Sequence, residues 1–417
     1  MQKRSNNFKR ITQCRLCNSK KIKQIYNFGL IPLGNDLQKT PLQSIKCKRY
    51  PLSLNQCSSC NHFQLSTSVN PKILYAKNYT YLTGVTQTFK KHFSDYSKWS
   101  ITKCKIKKDS LILDIGSNDG TCLSYFKKRG MKVIGIDPAK KPCDIANSKG
   151  IKTINNFFNK KTAINLKKKY GGLDFITSHN VLAHTENIQE IFLSAYSILK
   201  TNAFFCFEIG YFKEVIRNNL FDTIYHEHLD YHHSKPLIKF LQKVGFRIID
   251  LSTNKIQGGT LRILLQKTKV KKELKKIHNF INQEDNFFKK INIKNRFYDF
   301  EKTLLELNSK IKKEISGKKT IFAYGSPTKA SLLLLRSRLD RKIIKNSFED
   351  NLLKWNKYIP GTDIKIINTK NIRLNSNSVI IILAWNFSKE IEKRLKNQNV
   401  KNTKLFIPLP KLNIKKI

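Results

Sequence analysis

The chain has 417 residues, enough for two or three domains with cores of their own. Apolar residues make up 40%, and no apolar run approaches the ~20 residues a membrane-spanning helix needs, which argues against one. Lys and Arg outnumber Asp and Glu by 79 to 29, a net +50, but the lysines run through the whole length among Asn and Ile, a chain-wide bias rather than a nucleic-acid footprint on one segment.

Met1–Asn7 is basic, yet no apolar stretch follows it, so no signal peptide is expected and a cytoplasmic location is the default. Residues 1–70 form the first piece. Cys14-x-x-Cys17 and Cys57-x-x-Cys60 have the spacing that turns two thiolates toward one ion, and two such knuckles complete a tetrahedral sulfur site suited to zinc. Four thiolates leave no open position for water, so the zinc is read as structural. The competing reading is two unrelated pairs of reduced thiols. His62 is a conceivable substitute ligand but is expected at the surface. Cys47, Cys104, Cys122, Cys143 and Cys206 are expected as small core residues.

From 71 to 266, β-branched runs alternate with helical patterns, the signature of a parallel sheet flanked by helices. Leu111–Ile115, containing Asp114, runs into the turn Gly116-Ser117-Asn118-Asp119-Gly120, whose glycines let backbone approach a ligand at a helix start. A second strand ends in Asp137, 21 residues after Gly116, where a carboxylate can accept from both ribose hydroxyls. A third strand leads to His179-Asn180-Val181-Leu182-Ala183-His184. A nicotinamide enzyme would want Gly-x-Gly-x-x-Gly, but Asn118 stands where the second glycine should be. That turn suits a ligand without a pyrophosphate, S-adenosylmethionine, with Asp114, Gly116, Asn118, Gly120, Asp137 and Asn180 as cofactor residues.

Residues 267–317 read as a helical connector, with Phe300, Leu304, Leu307, Ile311 and Ile315 at helical spacing and a stop at Ser316-Gly317. In 318–417 the strand–turn–helix alternation resumes. Thr320–Gly325 is a strand into a glycine turn, and Ser326-Pro327-Thr328-Lys329 is read as a helix start with Pro327 in its first turn. Such a start is a natural phosphate site, to which Lys329 adds charge; a purely structural βα turn is the competing reading. The fold class is α/β, with a zinc-binding module, a central Rossmann-like methyltransferase domain and a C-terminal Rossmann-like domain.

These residues, with Phe221-Asp222-Thr223-Ile224-Tyr225-His226-Glu227-His228, resemble the three-domain zinc-containing sugar C-methyltransferases, which build branched deoxysugars on thymidine-diphosphate carriers. The resemblance covers nearly the whole chain. Gly29–Asn35, Gly258–Arg262, Ala323–Lys329, Tyr358–Thr362 and Ala384-Trp385-Asn386 match further signatures in order. Gln257 departs from the histidine common before the glycine pair, and His232-His233 replace an aromatic and a small polar residue.

Carbon becomes nucleophilic only after losing a proton, so a base must be held against the C–H while a donor steadies the enolate oxygen. The resemblance implies His228 as that base, helped by Glu227 and Tyr225, together with His184 and a tyrosine of residues 78–82, Tyr79 in preference to Tyr81. A satisfied core histidine is the competing reading for His184. An extended strand would put Tyr225 and Glu227 on one face and His226 and His228 on the other, whereas a loop would let Tyr225, Glu227 and His228 converge. A metal site there lacks the His-Glu-x-x-His pattern, because Asp230 stands at the second histidine's place. The resemblance also implies that the C-terminal domain holds the nucleotide-sugar, with Ser326, Lys329 and Asn386 as substrate residues. The expected reaction is methylation of carbon next to the ketone of a nucleotide-linked keto-deoxysugar by a monomer, with no membrane or nucleic-acid partner. The alternatives are a methyltransferase acting on RNA, DNA or another keto acceptor, and an inactive nucleotide-sugar-binding protein; no proline follows Asn180, as amino-directed nucleic-acid methyltransferases would want.

Overall fold

The structure, a computed structural model, describes residues 7–76, 82–270, 272, 274–372, 374 and 377–417. In chain order, β1 (Phe8–Arg10) precedes the first cysteine pair. Then β2 (Ile22–Pro32), α1 (Pro41–Ile45) and β3 (Arg49–Cys57) lead to the second pair, followed by β4 (Phe63–Leu65) and β5 (Thr67–Val69). After α2 (Gln87–Cys104) the alternation runs β6 (Leu111–Ile115), α3 (Thr121–Lys127), β7 (Lys132–Asp137), α4 (Lys140–Ser148), β8 (Thr153–Asn155), α5 (Lys160–Tyr170), β9 (Leu173–His179), α6 (Ile188–Ile198) and β10 (Leu199–Gly210). It closes with α7 (Phe212–Arg217), β11 (Asp230–Tyr231), α8 (Ser234–Val244), β12 (Phe246–Asn254) and β13 (Thr260–Lys267). Two helices, α9 (Lys275–Lys290) and α10 (Ile293–Ser316), lead to β14 (Thr320–Tyr324), α11 (Ala330–Arg336), β15 (Ile344–Glu349), β16 (Lys365–Asn368), β17 (Ser378–Ile382), α12 (Ser388–Asn397), β18 (Lys404–Ile407) and β19 (Asn413–Lys416).

By packing, the chain forms two compact units. One comprises Met1–Lys23, Asn55–Lys213 and Glu227–Ile291; the other comprises Gln24–Leu54, Glu214–His226 and Asn292–Ile417. The first is built on a seven-stranded sheet of order β12-β13-β10-β9-β6-β7-β8. Its strands β8, β7, β6, β9 and β10 are parallel, and β13 and β12 run antiparallel at one edge. The chain enters at β6, builds β7 and β8 to one side, then crosses back to β9. That reversal opens a crevice at the carboxyl ends of β6 and β9, where open α/β sheets bind ligands. The central strands are buried on both faces, which is why Leu111–Ile115 and Leu173–Ser178 read as near-continuous apolar runs.

The second unit has a six-stranded sheet of order β16-β15-β14-β17-β18-β19, parallel except for the closing β18–β19 pair. The connector consists of two helices, broken at Ile291 and restarted at Asn292, whose side chain accepts from the amides of Lys294 and Asn295. Phe300, Leu304, Leu307 and Ile311 are fully buried, as their spacing requires, while Ile315 in the last turn is exposed. Gly317 caps that end. Cys104, Cys122, Cys143 and Cys206 are buried and Cys47 half-buried.

Candidate active site

The two cysteine pairs fold into matching knuckles. Cys14 N donates to Ser19 O and Asn18 N to Cys14 O; likewise Cys57 N donates to His62 O and Asn61 N to Cys57 O. Each turn closes on an asparagine at positive φ, 60° for Asn18 and 65° for Asn61, a conformation asparagine tolerates. The sulfurs of Cys14 and Cys60, and of Cys17 and Cys57, are 3.6 Å apart, and all four lie within 4.8 Å of one another. Tetrahedral zinc with ~2.3 Å bonds to sulfur sets its ligands ~3.8 Å apart, so the residues fit the ion. The hydrogen bond between Cys60 and Cys14 holds the Cys14 thiol down and pushes the Cys60 thiol up, so one proton is shared within the pair. His62 is not at the surface: it is fully buried, and its Nε2 lies 2.9 Å from Asp230 Oδ1, which removes it from the ligand set.

At the carboxyl ends of β6, β7 and β9 is a cavity of about 430 Å³, lined by Gly116, Asp137, Asn180 and His184, and also by Lys72 and Phe157. Gly116 has φ 75°, and a Cβ there would stand 2.1 Å from Val181 Cγ2, so only glycine lets the two strand ends close up. Asp137 Oδ2 accepts from Asn118 N at 2.9 Å and Oδ1 from Ala139 N at 2.8 Å, which fixes the carboxylate at the cavity wall. Burial nonetheless pushes its pKa up to about 6. Asn118 is not among the residues lining the cavity, and its Oδ1 accepts from Thr83 N at 3.0 Å. Gly120 ends the turn as the N-cap of α3. Asp114 does not line the cavity: it sits inside β6, its Oδ1 without a hydrogen-bond partner, and burial followed by the charge of Asp137 pushes its pKa well up. Lys72, which opens a short π-helical turn at Lys72–Ala76, and Phe157, in the irregular segment after β8, were missed because neither carries a local motif, although Phe157 follows the end of β8 as Asp137 ends β7.

Tyr225–Glu227 is a turn rather than a strand, with Glu227 buried and Tyr225 and His228 half-buried. His228 stands edge-on to His184, ring centroids 4.8 Å apart and planes at 84°. Burial, then the neighbouring His228, drives the His184 pKa well down, so this ring is neutral. The backbone locks the pair in register: Leu229 N donates to Ala183 O at 2.7 Å. The site therefore joins Gly116, Asp137, Asn180, His184 and His228. Tyr79 lies outside the described residues. His232 and His233 serve packing: His232 stacks on His62, and His233 lies 3.2 Å from Glu284 and 2.9 Å from Asn61 O.

Beneath Asn180 is a buried ionic network the sequence did not reveal. Glu208 Oε2 accepts from His92 at 2.7 Å and His179 at 3.1 Å, and Oε1 from Arg262 Nε at 2.7 Å and Asn254 at 3.0 Å. Burial works against its charge, but hydrogen bonds from His179 and His92 hold it well below the usual carboxylate range. The Glu208 carbonyl accepts from Asn180 N at 2.7 Å, tying this network to the cavity wall.

In the second unit the Gly325 turn lies against Ala384, which gathers Ser326, Lys329 and Asn386 into one region. No helix begins at Ser326 with Pro327 in its first turn. A turn intervenes, closed by Ala330 N donating to Pro327 O, and α11 starts at Ala330. The Ser326 amide donates to Glu349 Oε2 at 2.8 Å, so a carboxylate from the end of β15 occupies the direction a phosphate would take. Lys329 is buried, 3.4 Å from Asp222 Oδ2 and 3.4 Å over the Trp385 ring, and burial pushes its pKa down to about 8.

Known proteins align with this arrangement. Residues 14–75 match the model of a zinc binding domain, 93–251 that of a methyltransferase domain, and 255–410 that of the C-methyltransferase C-terminal domain. The C-methyltransferase NovU of Streptomyces niveus is 24% identical over 405 residues, 96% of each chain. Among solved structures, magnesium protoporphyrin IX methyltransferase of Synechocystis PCC 6803 with bound SAM aligns over 42% of this chain and 78% of its own, at 14% identity and TM-score 0.33. The plantazolicin methyltransferase BpumL in complex with SAH aligns over 43% of this chain and 83% of its own, at 17% identity and TM-score 0.34, and in complex with a pentazolic desmethylPZN analog and SAH over 43% and 84%, at 16% identity and TM-score 0.35. With the three domain models matched in order and a C-methyltransferase aligned end to end, the chain is an S-adenosylmethionine-dependent C-methyltransferase that carries a zinc-binding domain.

Proposed function

We propose that the enzyme methylates the carbon next to the ketone of a nucleotide-linked keto-deoxysugar, with His228 as the base. The observation that carries this reading is the neutral His184 lining the cofactor cavity with His228 edge-on beside it. Cofactor binding is assigned to Asp114, Gly116, Asn118, Gly120, Asp137 and Asn180. Of these, Asp137 meets the ribose hydroxyls, while Asp114 and Asn118 act by shaping the turn. Bound S-adenosylmethionine supplies a sulfonium methyl for in-line transfer to carbon.

The protein's own part is proton handling. His228 removes the proton α to the ketone, Glu227 and Tyr225 orient it, and His184, whose neutral ring keeps one N–H to donate, faces the oxygen where enolate charge gathers. Tyr79 is a further assisting group. Ser326, Lys329 and Asn386 of the C-terminal unit hold the substrate; a phosphate gains the first two only by displacing Glu349 and Asp222. The carrier is thymidine diphosphate, the enzyme a cytoplasmic monomer, and the four pieces 1–70, 71–266, 267–317 and 318–417 are its sequence modules.

The test is turnover of methyl-labelled cofactor against a panel of nucleotide-linked 4-keto-deoxysugars. Wild type is expected to fix label on carbon, and His228→Ala to lose roughly 10²–10⁴-fold in rate. Label delivered to RNA, DNA or a non-sugar ketone and to no sugar in the panel would overturn the substrate assignment.

A further inference from the structure

The zinc knuckles do more than close a loop. Arg15 stands between the first two ligands, Cys14 and Cys17, and its side chain is only 8% exposed. Its Nε donates to Asp230 Oδ1 at 2.9 Å, one terminal nitrogen donates to Glu186 O at 3.0 Å, and the other donates to Thr185 O. Thr185 and Glu186 follow His184 directly and line the cofactor cavity. Asp230 is two residues past His228 and fully buried. One guanidinium thus spans the segments carrying both histidines.

The second knuckle joins the same point. His62, two residues after Cys60, reaches the same Asp230 oxygen at 2.9 Å. The backbone of Arg15 is itself pinned, its N–H donating to Gln64 Oε1 at 2.9 Å while Gln64 Nε2 donates to Gln13 O at 3.0 Å. Gln64 pairs with Asp230 in the β4–β11 ladder. Knuckle, ladder and catalytic loop form one hydrogen-bonded body inside the first unit.

We infer that Arg15 is a positioning residue for the His184–His228 pair, through which the zinc knuckles align the catalytic loop. The planar fork explains the residue type: three acceptors at fixed angles match a guanidinium, whereas a lysine ammonium is a point charge on a flexible stem. The inference rests on the reading of His184 and His228 as catalytic.

The experiment uses the full zinc-loaded chain with ¹⁵N-labelled histidines, comparing wild type, Arg15→Met and Arg15→Lys. The His184 and His228 ring signals are assigned by single His→Gln variants. In Arg15→Met, zinc is expected to stay at one ion per chain while both ring signals move and those of His92 and His179 do not. At a temperature well below unfolding, kcat should fall roughly 10²-fold, the scale of a 1 Å misplacement, with Arg15→Lys restoring only part. Unmoved His184 and His228 signals with wild-type kcat in Arg15→Met would overturn the inference. If the signals move but wild type methylates no keto-sugar, the functional reading fails and the positioning stands. Should Arg15→Met lose zinc or fail to fold, Asp230→Leu removes the acceptor of Arg15 Nε from the other end with little change of shape. Moved histidine signals in that variant support the inference, and unmoved ones overturn it.

Discussion

Asp137 shows how much one carboxylate can set. Its two oxygens fix Asn118 N and Ala139 N, and burial pushes its pKa up to about 6. The sign of the consequence is fixed. A folded-state pKa above the unfolded value means the native chain binds the proton more tightly, so this group's stabilising contribution is full below about pH 4 and fades as pH rises through about 6. Ribose hydroxyls donate only to the ionised form with full strength. The cofactor should therefore bind more tightly as pH rises through about 6, and calorimetric titration of Asp137→Asn should lose that dependence. The glycine turn and Asp137 were legible in sequence because both lie within one βαβ unit, where spacing alone fixes their relation. Glu208 was not. Its partners His92 and Arg262 lie 116 and 54 residues away, and no local pattern links them.

At the scale of elements, α10 and α8 contrast two sources of stability. The α10 stripe of Phe300, Leu304, Leu307 and Ile311 could be read from its period, and Leu304→Ala should cost about 2–5 kcal/mol in urea unfolding, as truncated core leucines do. The N-terminus of α8 depends on a remote carboxylate: Glu284 of α9 accepts from Ser234 N at 2.8 and 2.9 Å and lies 3.2 Å from His233. Burial opposes its charge, yet the bonds from His233 and Ser234 hold its pKa down at about 2. Glu284→Ala should cost roughly 3–5 kcal/mol at neutral pH, since it strands buried donors. In the wild type this contribution should be lost as pH falls from the ordinary glutamate range through about 2. Pro327 marks the limit of reading elements from residue type. It stands in a region suited to a helix start, but the Ser326 amide is already taken by Glu349, and the helix begins three residues later.

Over the whole molecule, distant pieces of chain complete one another's folds. Within the second unit, Ser44 Oγ donates to Ile359 O at 2.7 Å and Gln38 N to Tyr358 O at 3.1 Å, joining the segment between the knuckles to the C-terminal sheet. The cysteine spacing announces a zinc site, but nothing local says where the intervening residues pack. Four sulfurs within 4.8 Å of one another fit one ion, so metal analysis should recover one zinc per chain, and removing it with a strong chelator should lower the unfolding temperature, because the free energy of metal binding is lost from folding. Among the described residues, no helix is long and apolar enough to cross a membrane.

The central claim is that His228 takes a proton from carbon. The most direct measurement is solvent deuterium exchange into the keto-sugar, followed by NMR, with the demethylated cofactor bound so that no methyl can be transferred. Wild type is expected to wash deuterium into the position α to the ketone, and His228→Ala to do so no faster than buffer. Equal exchange in both would contradict the account and move the base to another residue.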